Sequence, residues 1–192
     1  MDTTTAIGSV LAAFGLSGAA GLNPWLPLFA SALLHRLDVV ELGAPFDDLS
    51  QNGWLVALGV LMTLDFVGDK VPVVDHALHA VGTVIAPASG AVLFTGQTGL
   101  ETDIPSLVAV LLGAVTAGSI HVARATARPA STAATGGVGN PILSFAEDVG
   151  SGVLTAIAFV LPALAFALLV ALVVGLARGW RRIRERRGRS RL

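Results

Sequence analysis

The chain has 192 residues, of which 54% are hydrophobic and 13% charged, and its mean hydropathy is +0.77. Soluble domains carry about 25% charged residues, so one water-soluble core could not hide this much apolar surface, and lipid is the expected solvent. With no cysteine, disulfides, thiolate metal sites and cysteine nucleophiles are excluded. Four scattered histidines make a poor zinc set, so no metal or cofactor is expected.

Net charge is −1 overall but unevenly divided. Residues 178–192 hold eight arginines and one glutamate, while the rest hold four Lys/Arg against twelve Asp/Glu. A basic tail after a hydrophobic helix reads as a topology signal attracted to anionic headgroups. Nucleic acid is not the expected partner, because the tail has a single tryptophan and no fold of its own is expected for it.

From Thr3 to Leu34 no residue is charged or imidazole-bearing. Met1–Thr5 lacks the basic start of a cleaved signal peptide, so this apolar stretch is expected to remain. Gly8, Ala12, Gly15 and Ala19 lie at +4, +3 and +4 steps, one helical face of small residues on which another helix can pack closely. That face offers an interface for a homo-oligomer; its plainer reading is an alanine-rich helix. The stretch is broken at Gly21-Leu22-Asn23-Pro24, which leaves open whether residues 4–36 cross once or twice.

An acidic loop follows, from Asp38 to Gln51, and Trp54 suits an interfacial belt. Residues 52–65 would rise only about 21 Å as a helix, short of a roughly 30 Å hydrocarbon core. They lead into Asp65-Phe66-Val67-Gly68-Asp69-Lys70-Val71-Pro72-Val73-Val74-Asp75. Residues 73–94 can span, with Pro87 a candidate kink. After a loop with Glu101 and Asp103, residues 104–122 form a charge-free span. His121, Arg124 and Arg128 mark its end, in a loop running to Gly139, where headgroup contact is the expected role. Asn140-Pro141 opens a second interrupted region carrying Glu147 and Asp148. It ends in residues 149–177, interrupted by Pro162, with Trp180 at the boundary.

Loops 36–52 and 95–103 hold acids and only Arg36, whereas loop 123–137 has two arginines and no acid. The positive-inside rule therefore places loop 123–137 and the tail in the cytoplasm, and the acidic loops outside. The expected location is a bacterial cytoplasmic membrane, with a transmembrane domain over 1–178 and a basic tail over 179–192.

Both interruptions read small residues, then Asn-Pro, then an apolar helix. Proline suits the first helical position and asparagine caps well. Each could present a helix N-terminus to an anion or carbonyl. Paired interruptions point to a transporter site and raise an internal duplication, 6–94 against 104–178; alternatively, Asn-Pro caps two ordinary turns. Asp65 and Asp69 share a helical face, as do Asp75 and His79. Charge at membrane depth costs about 2.5–3.5 kcal/mol per residue on insertion scales, which makes such groups functional candidates. Lys70 is the expected internal counter-ion, and ion pairs that only fix packing are the competing reading.

Gly21-Leu22-Asn23-Pro24-Trp25-Leu26-Pro27, the 64–75 element, His121…Arg124…Arg128 and Ser144-Phe145-Ala146-Glu147-Asp148 form a series. It resembles the bacterial membrane proteins grouped as domain of unknown function 4126, over about residues 6–178. The resemblance implies a segment order and a choice of polar residues but no activity.

The expectation is therefore an all-α polytopic bundle, with two broken or re-entrant helices meeting near the midplane. A transporter or channel-like protein for a small or amphipathic substrate is expected, coupled to protons or cations. Asn23, Pro24, Asn140 and Pro141 would present helix N-termini. Asp65, Asp69, Asp75, Glu147 and Asp148 would titrate or bind cations. A non-catalytic membrane subunit is the alternative. Catalysis is not expected: no hydrolase, zincin, Walker or dinucleotide motif is present, and the aspartate patterns of lipid-modifying membrane enzymes are incomplete.

Overall fold

The computed structural model describes residues 3–68, 72–100, 102–136 and 138–189. Asp69 and Lys70 lie outside them, and of Asp75 only its helical backbone is described. The described residues are all-helical: α1 (Thr3–Leu22), α2 (Trp25–Arg36), a 3-10 turn (Phe46–Ser50), α3 (Asn52–Gly68), α4 (Pro72–Thr98), α5 (Ser106–Thr135), α6 (Asn140–Val160) and α7 (Pro162–Arg189). Five segments are long and apolar enough to cross a bilayer: Thr3–Leu22, Ala80–Thr98, Ser106–Ala133, Asn140–Val160 and Pro162–Gly179. This is the make-up of a multi-pass membrane protein. α3 is apolar but shorter, and α2 has only 12 residues, about 18 Å at 1.5 Å per residue.

α1 is the central helix, packing against α4, α5, α6 and α7. Its composition explains why, since Gly, Ala and Ser let four helices approach at once. A Cβ at Gly15 would stand 2.9 Å from that of Ala165 and 3.0 Å from that of Ala158, and one at Gly21 would meet the Ala117 carbonyl oxygen at 2.6 Å. Ala12 and Ala19 are buried too. The small-residue face expected to receive a second copy is thus filled within the chain, apart from Gly8, which meets nothing within 4 Å.

Contacts fix the directions. Phe14 packs edge-on against Phe94, with centroids 4.9 Å apart, and Ser17 Oγ donates to the Gly90 carbonyl at 3.0 Å, so α1 and α4 are antiparallel. Gly90 meets Gly113, and Gly82 meets His121, across an antiparallel α4–α5 pair. The Gly43 N–H donates to the Gly96 carbonyl at 2.8 Å, so α2 returns to the end from which α1 sets out. Residues 4–36 therefore form a helical hairpin, whose second arm is shorter than the segments able to cross a bilayer. The two acidic loops share one end of the bundle; the α1–α2 break, the end of α3 and the start of α6 lie towards the other.

One expectation is corrected. α5 does not end near Val122: it continues as helix to Thr135, with Pro129 inside it. Arg124 and Arg128 are therefore helical rather than in a loop. The basic residues up to Arg189 continue α7 as helix. Extending an existing helix needs no new nucleus, and arginine and glutamate are good helix formers.

Candidate functional site

The site is built around Asn23, which is 2% exposed. A helix start leaves four backbone N–H groups without helical partners. At the start of α2 these belong to Pro24, Trp25, Leu26 and Pro27, and the two prolines have none to give. The other two, from Trp25 and Leu26, donate to Asn23 Oδ1 at 3.0 Å each. This N-terminus is fully occupied by its own cap, which corrects the expectation that it is open to an anion.

With Oδ1 committed to two donors, the amide NH2 must point the other way, which fixes an orientation usually left to inference. It donates to Asp65 Oδ2 at 3.1 Å and Asp148 Oδ1 at 2.8 Å. One amide thus ties the α1–α2 break to α3 and to α6 through two buried carboxylates. An Asn-to-Asp change keeps the cap but sets a third carboxylate against the other two. Asn23→Asp is therefore expected to melt lower in detergent than Asn23→Ser, which keeps a capping oxygen without adding charge.

A second group lies beside the first. Arg124 Nε donates to Glu147 Oε2 at 2.6 Å, and Arg128 Nη2 donates to the same oxygen at 2.8 Å. The three side chains are 5–9% exposed. Arg124 Nη1 also donates to the Leu22 carbonyl, placing a cation at the C-terminus of α1, where the helix dipole favours one. Ser151 Oγ donates to the Ala19 carbonyl at 2.9 Å. The end of α1 is thus satisfied by side chains of α5 and α6, as buried backbone carbonyls beyond a helix require.

Between α2, α3, α4 and α5 lies a cavity of about 30 Å³, lined among others by Trp25, Asp65, Ile85, His121 and Arg124. That is room for one or two waters. His121 is 3% exposed and approaches the α4 backbone because residue 82 is glycine; a Cβ there would sit 2.7 Å from its Cε1.

The structure therefore brings Asn23, Asp65, Glu147, Asp148, Arg124 and Arg128 together, with Pro24 and His121 at the cavity wall. Arg124 and Arg128 turn inward to a carboxylate, whereas headgroup contact was expected of them. Asn140 and Pro141 stand apart: Asn140 Nδ2 donates to Thr132 Oγ1 at 2.9 Å, Pro141 is exposed, and Gly139 is the N-cap of α6. The two Asn-Pro pairs do different jobs, so they lend no support to a duplication.

The place of the cluster along the bundle follows from α5. Arg124 lies eighteen residues beyond Ser106, about 27 Å along α5 at 1.5 Å per residue. The cluster is nearer the end opposite the acidic loops. Among the described residues no group of three or more His, Cys, Asp or Glu could hold a metal ion.

A family model described as Domain of unknown function (DUF4126) matches residues 10–182. No curated protein and no solved structure matches the chain.

Proposed function

The chain belongs to the family described as Domain of unknown function (DUF4126), a description that brings no activity with it, and we propose from the cluster geometry that it is a small transporter or channel-like protein for protons or small cations. The observation that carries this reading is the buried Asn23 amide joining Asp65 and Asp148 beside a cavity. Ionisable groups at membrane depth are costly, and where they persist they mark ion and proton paths. Pockets for small organic ligands run to about 300–1,000 Å³, so a cavity of about 30 Å³ favours water, protons or a bare ion over an amphipathic substrate.

Orientation belongs to the same proposal. Arg124, Arg128 and the α7 arginines would put the cluster end in the cytoplasm of a bacterial inner membrane, with anionic headgroups around the arginines that extend α7.

A second reading has its own observation. The Arg124–Glu147–Arg128 group uses one carboxylate oxygen for two guanidinium groups and secures the end of α1. That is the work of a structural clasp. The two readings divide the cluster: the clasp holds the break, and the Asn23-bridged acids carry the ion.

Reconstituted vesicles under an imposed membrane potential test this, with a lumenal pH dye for protons and a sodium- or potassium-sensitive dye for cations. Ion entry is expected with the natural sequence, reduced about tenfold or more in Asp65→Asn and Asp148→Asn. Vesicles no leakier than protein-free ones to all three ions would sink the proposal.

A further inference from the structure

We propose that His35 is a pH-sensitive switch at the bundle end that carries the acidic loops: one ring nitrogen serves either the Leu42 amide or the Val40 carbonyl, and its protonation releases the loop from α4. The switch is independent of the transport reading, and no flux is needed to see it.

Helix α2 ends in a turn that sends the chain back along itself. Asp38 adopts the left-handed conformation, with φ 55°, which aspartate tolerates better than most residues. The Asp38 N–H donates to the His35 carbonyl at 3.1 Å and the Val39 N–H to the Leu34 carbonyl at 3.0 Å. These are the paired bonds that close a helix C-terminus around a left-handed residue. Residues 40–43 therefore run back past the His35 ring. Just beyond it, the Gly43 N–H donates to the Gly96 carbonyl at 2.8 Å and seats the loop on the end of α4. Leu42 and Phe46 lie over Gly96, 3.6 and 3.4 Å from where a Cβ would stand.

Two backbone groups of this returning segment reach the same atom. His35 Nδ1 stands 3.1 Å from the Val40 carbonyl oxygen and accepts from the Leu42 N–H at 3.3 Å. A ring nitrogen either carries a proton or offers a lone pair, so it satisfies one of these groups and not both. Leu42 is 5% exposed, and a buried N–H without an acceptor is costly. Val40 is half-buried, and its carbonyl can turn to water instead. The neutral ring therefore leaves Nδ1 bare for Leu42 and keeps its proton on Nε2. An imidazolium carries N–H on both nitrogens: Nδ1 then donates to Val40, and the Leu42 amide faces a donor. Gly43 is the next residue, so the loop's bond to Gly96 loosens with it.

Histidine is the side chain that changes charge between about pH 5 and pH 8. The other charges around this loop are Arg36, which donates to the Ser50 carbonyl, Asp38 and Glu41 within it, and Asp47 and Asp48 in the 3-10 turn. Residues 92–98 of α4 and 52–56 of α3 bring no titratable group, Asp103 follows α4, and Glu101 lies outside the described residues. Asp65, Glu147 and Asp148, on the other helices packed against α2, belong to the cluster at its opposite end. Among the described residues no carboxylate pairs with the ring, whose partners are the two backbone groups.

The test is an NMR titration of isotope-labelled protein in nanodiscs, from about pH 8 to about pH 5. Nδ1 is expected to read as an unprotonated imidazole nitrogen at the upper end and to gain its proton on the way down. Over the same midpoint the hydrogen-exchange protection factors of the Leu42 and Gly43 amides should fall about tenfold or more. The Leu37 amide, bonded to the Leu33 carbonyl, should stay within about twofold. His35→Asn puts an acceptor oxygen near the place of Nδ1 that does not titrate, so Leu42 should stay protected throughout. His35→Leu removes the acceptor and should leave Leu42 poorly protected at every pH. Protection at Leu42 that ignores pH in the natural sequence overturns the switch, as does a proton already on Nδ1 at the upper end or a Leu42 amide still protected in His35→Leu. An equal fall in His35→Asn overturns it as well, because the change then belongs to the surrounding carboxylates. A fall confined to Leu42, with Gly43 held, overturns the release of the loop. Should either variant fail to fold, a shared midpoint of the Nδ1 signal and the Leu42 amide in the natural sequence sustains the switch, and separate midpoints overturn it.

Discussion

Glu147→Ala is expected to be the most damaging single change in the molecule. It leaves the guanidinium groups of Arg124 and Arg128 buried without the carboxylate oxygen they share at 2.6 and 2.8 Å. Removing one partner of a buried pair costs about 3–5 kcal/mol, because the remaining charge is uncompensated. Here two guanidinium groups lose the same acceptor at once. The variant should lose its folded peak in size-exclusion chromatography or melt far below the parent in detergent. The triple change Glu147→Leu, Arg124→Met, Arg128→Met removes all three charges together, and apolar replacements of such triads are often neutral. The triple variant should therefore melt above the single one, short of the parent by the lost Arg124–Leu22 bond. A single variant as stable as the parent would show that the clasp holds nothing.

Gly113→Ala is the second large effect, and its cause is steric. A Cβ at residue 113 would fall on the backbone carbonyl of Gly90 and within 2.7 Å of the Phe94 Cβ; one at Gly90 would lie 2.5 Å from the Gly113 carbonyl oxygen. Backbone cannot step aside as a flexible side chain can, so α4 and α5 must separate along their whole crossing. Overpacking costs about 1–3 kcal/mol in ordinary cores and more where nothing yields. The loss should show as a melting temperature many degrees lower. Gly53→Ala, where nothing lies within 4 Å of the added carbon, should leave the melting temperature unchanged.

Much of the fold could be read from composition and charge placement. The span order, the break at Asn23-Pro24 and the pairing of the two acidic loops at one end follow from apolar run lengths and from where acids and arginines fall. Arg124 and Arg128 misled for a physical reason. Arginines next to Pro129 in a stretch of Ala, Thr and Ser look like a loop beyond a span, and lipid headgroups are the default partner there. Their spacing of four, however, sets both on one helical face, matching a single acid two turns into α6. That was the available signal for Glu147.

Asn23 was legible as a cap but not as a bridge. Nothing local indicates that α3 and α6 bring carboxylates to its NH2, since that contact links residues 42 and 125 positions apart. The small-residue face of α1 is legible as a close-packing face, and helices of the same chain pack on it, but such a face does not say whether the approaching helix belongs to the same chain. Asn140-Pro141 matched in letters only: its asparagine bonds Thr132 across the α5–α6 turn instead of capping its own helix.

The central claim is the division of the buried cluster into an ion-carrying acid pair and a structural clasp. It is tested most directly by measuring ion flux and melting temperature together in Asp148→Asn and Glu147→Gln, each in reconstituted vesicles and in detergent. The division predicts opposite failures. Asp148→Asn should melt within a few degrees of the parent and lose flux about tenfold, whereas Glu147→Gln should melt well below it, with flux per folded molecule largely kept. Two variants that lose stability in parallel, with no specific loss of flux in Asp148→Asn, would contradict it.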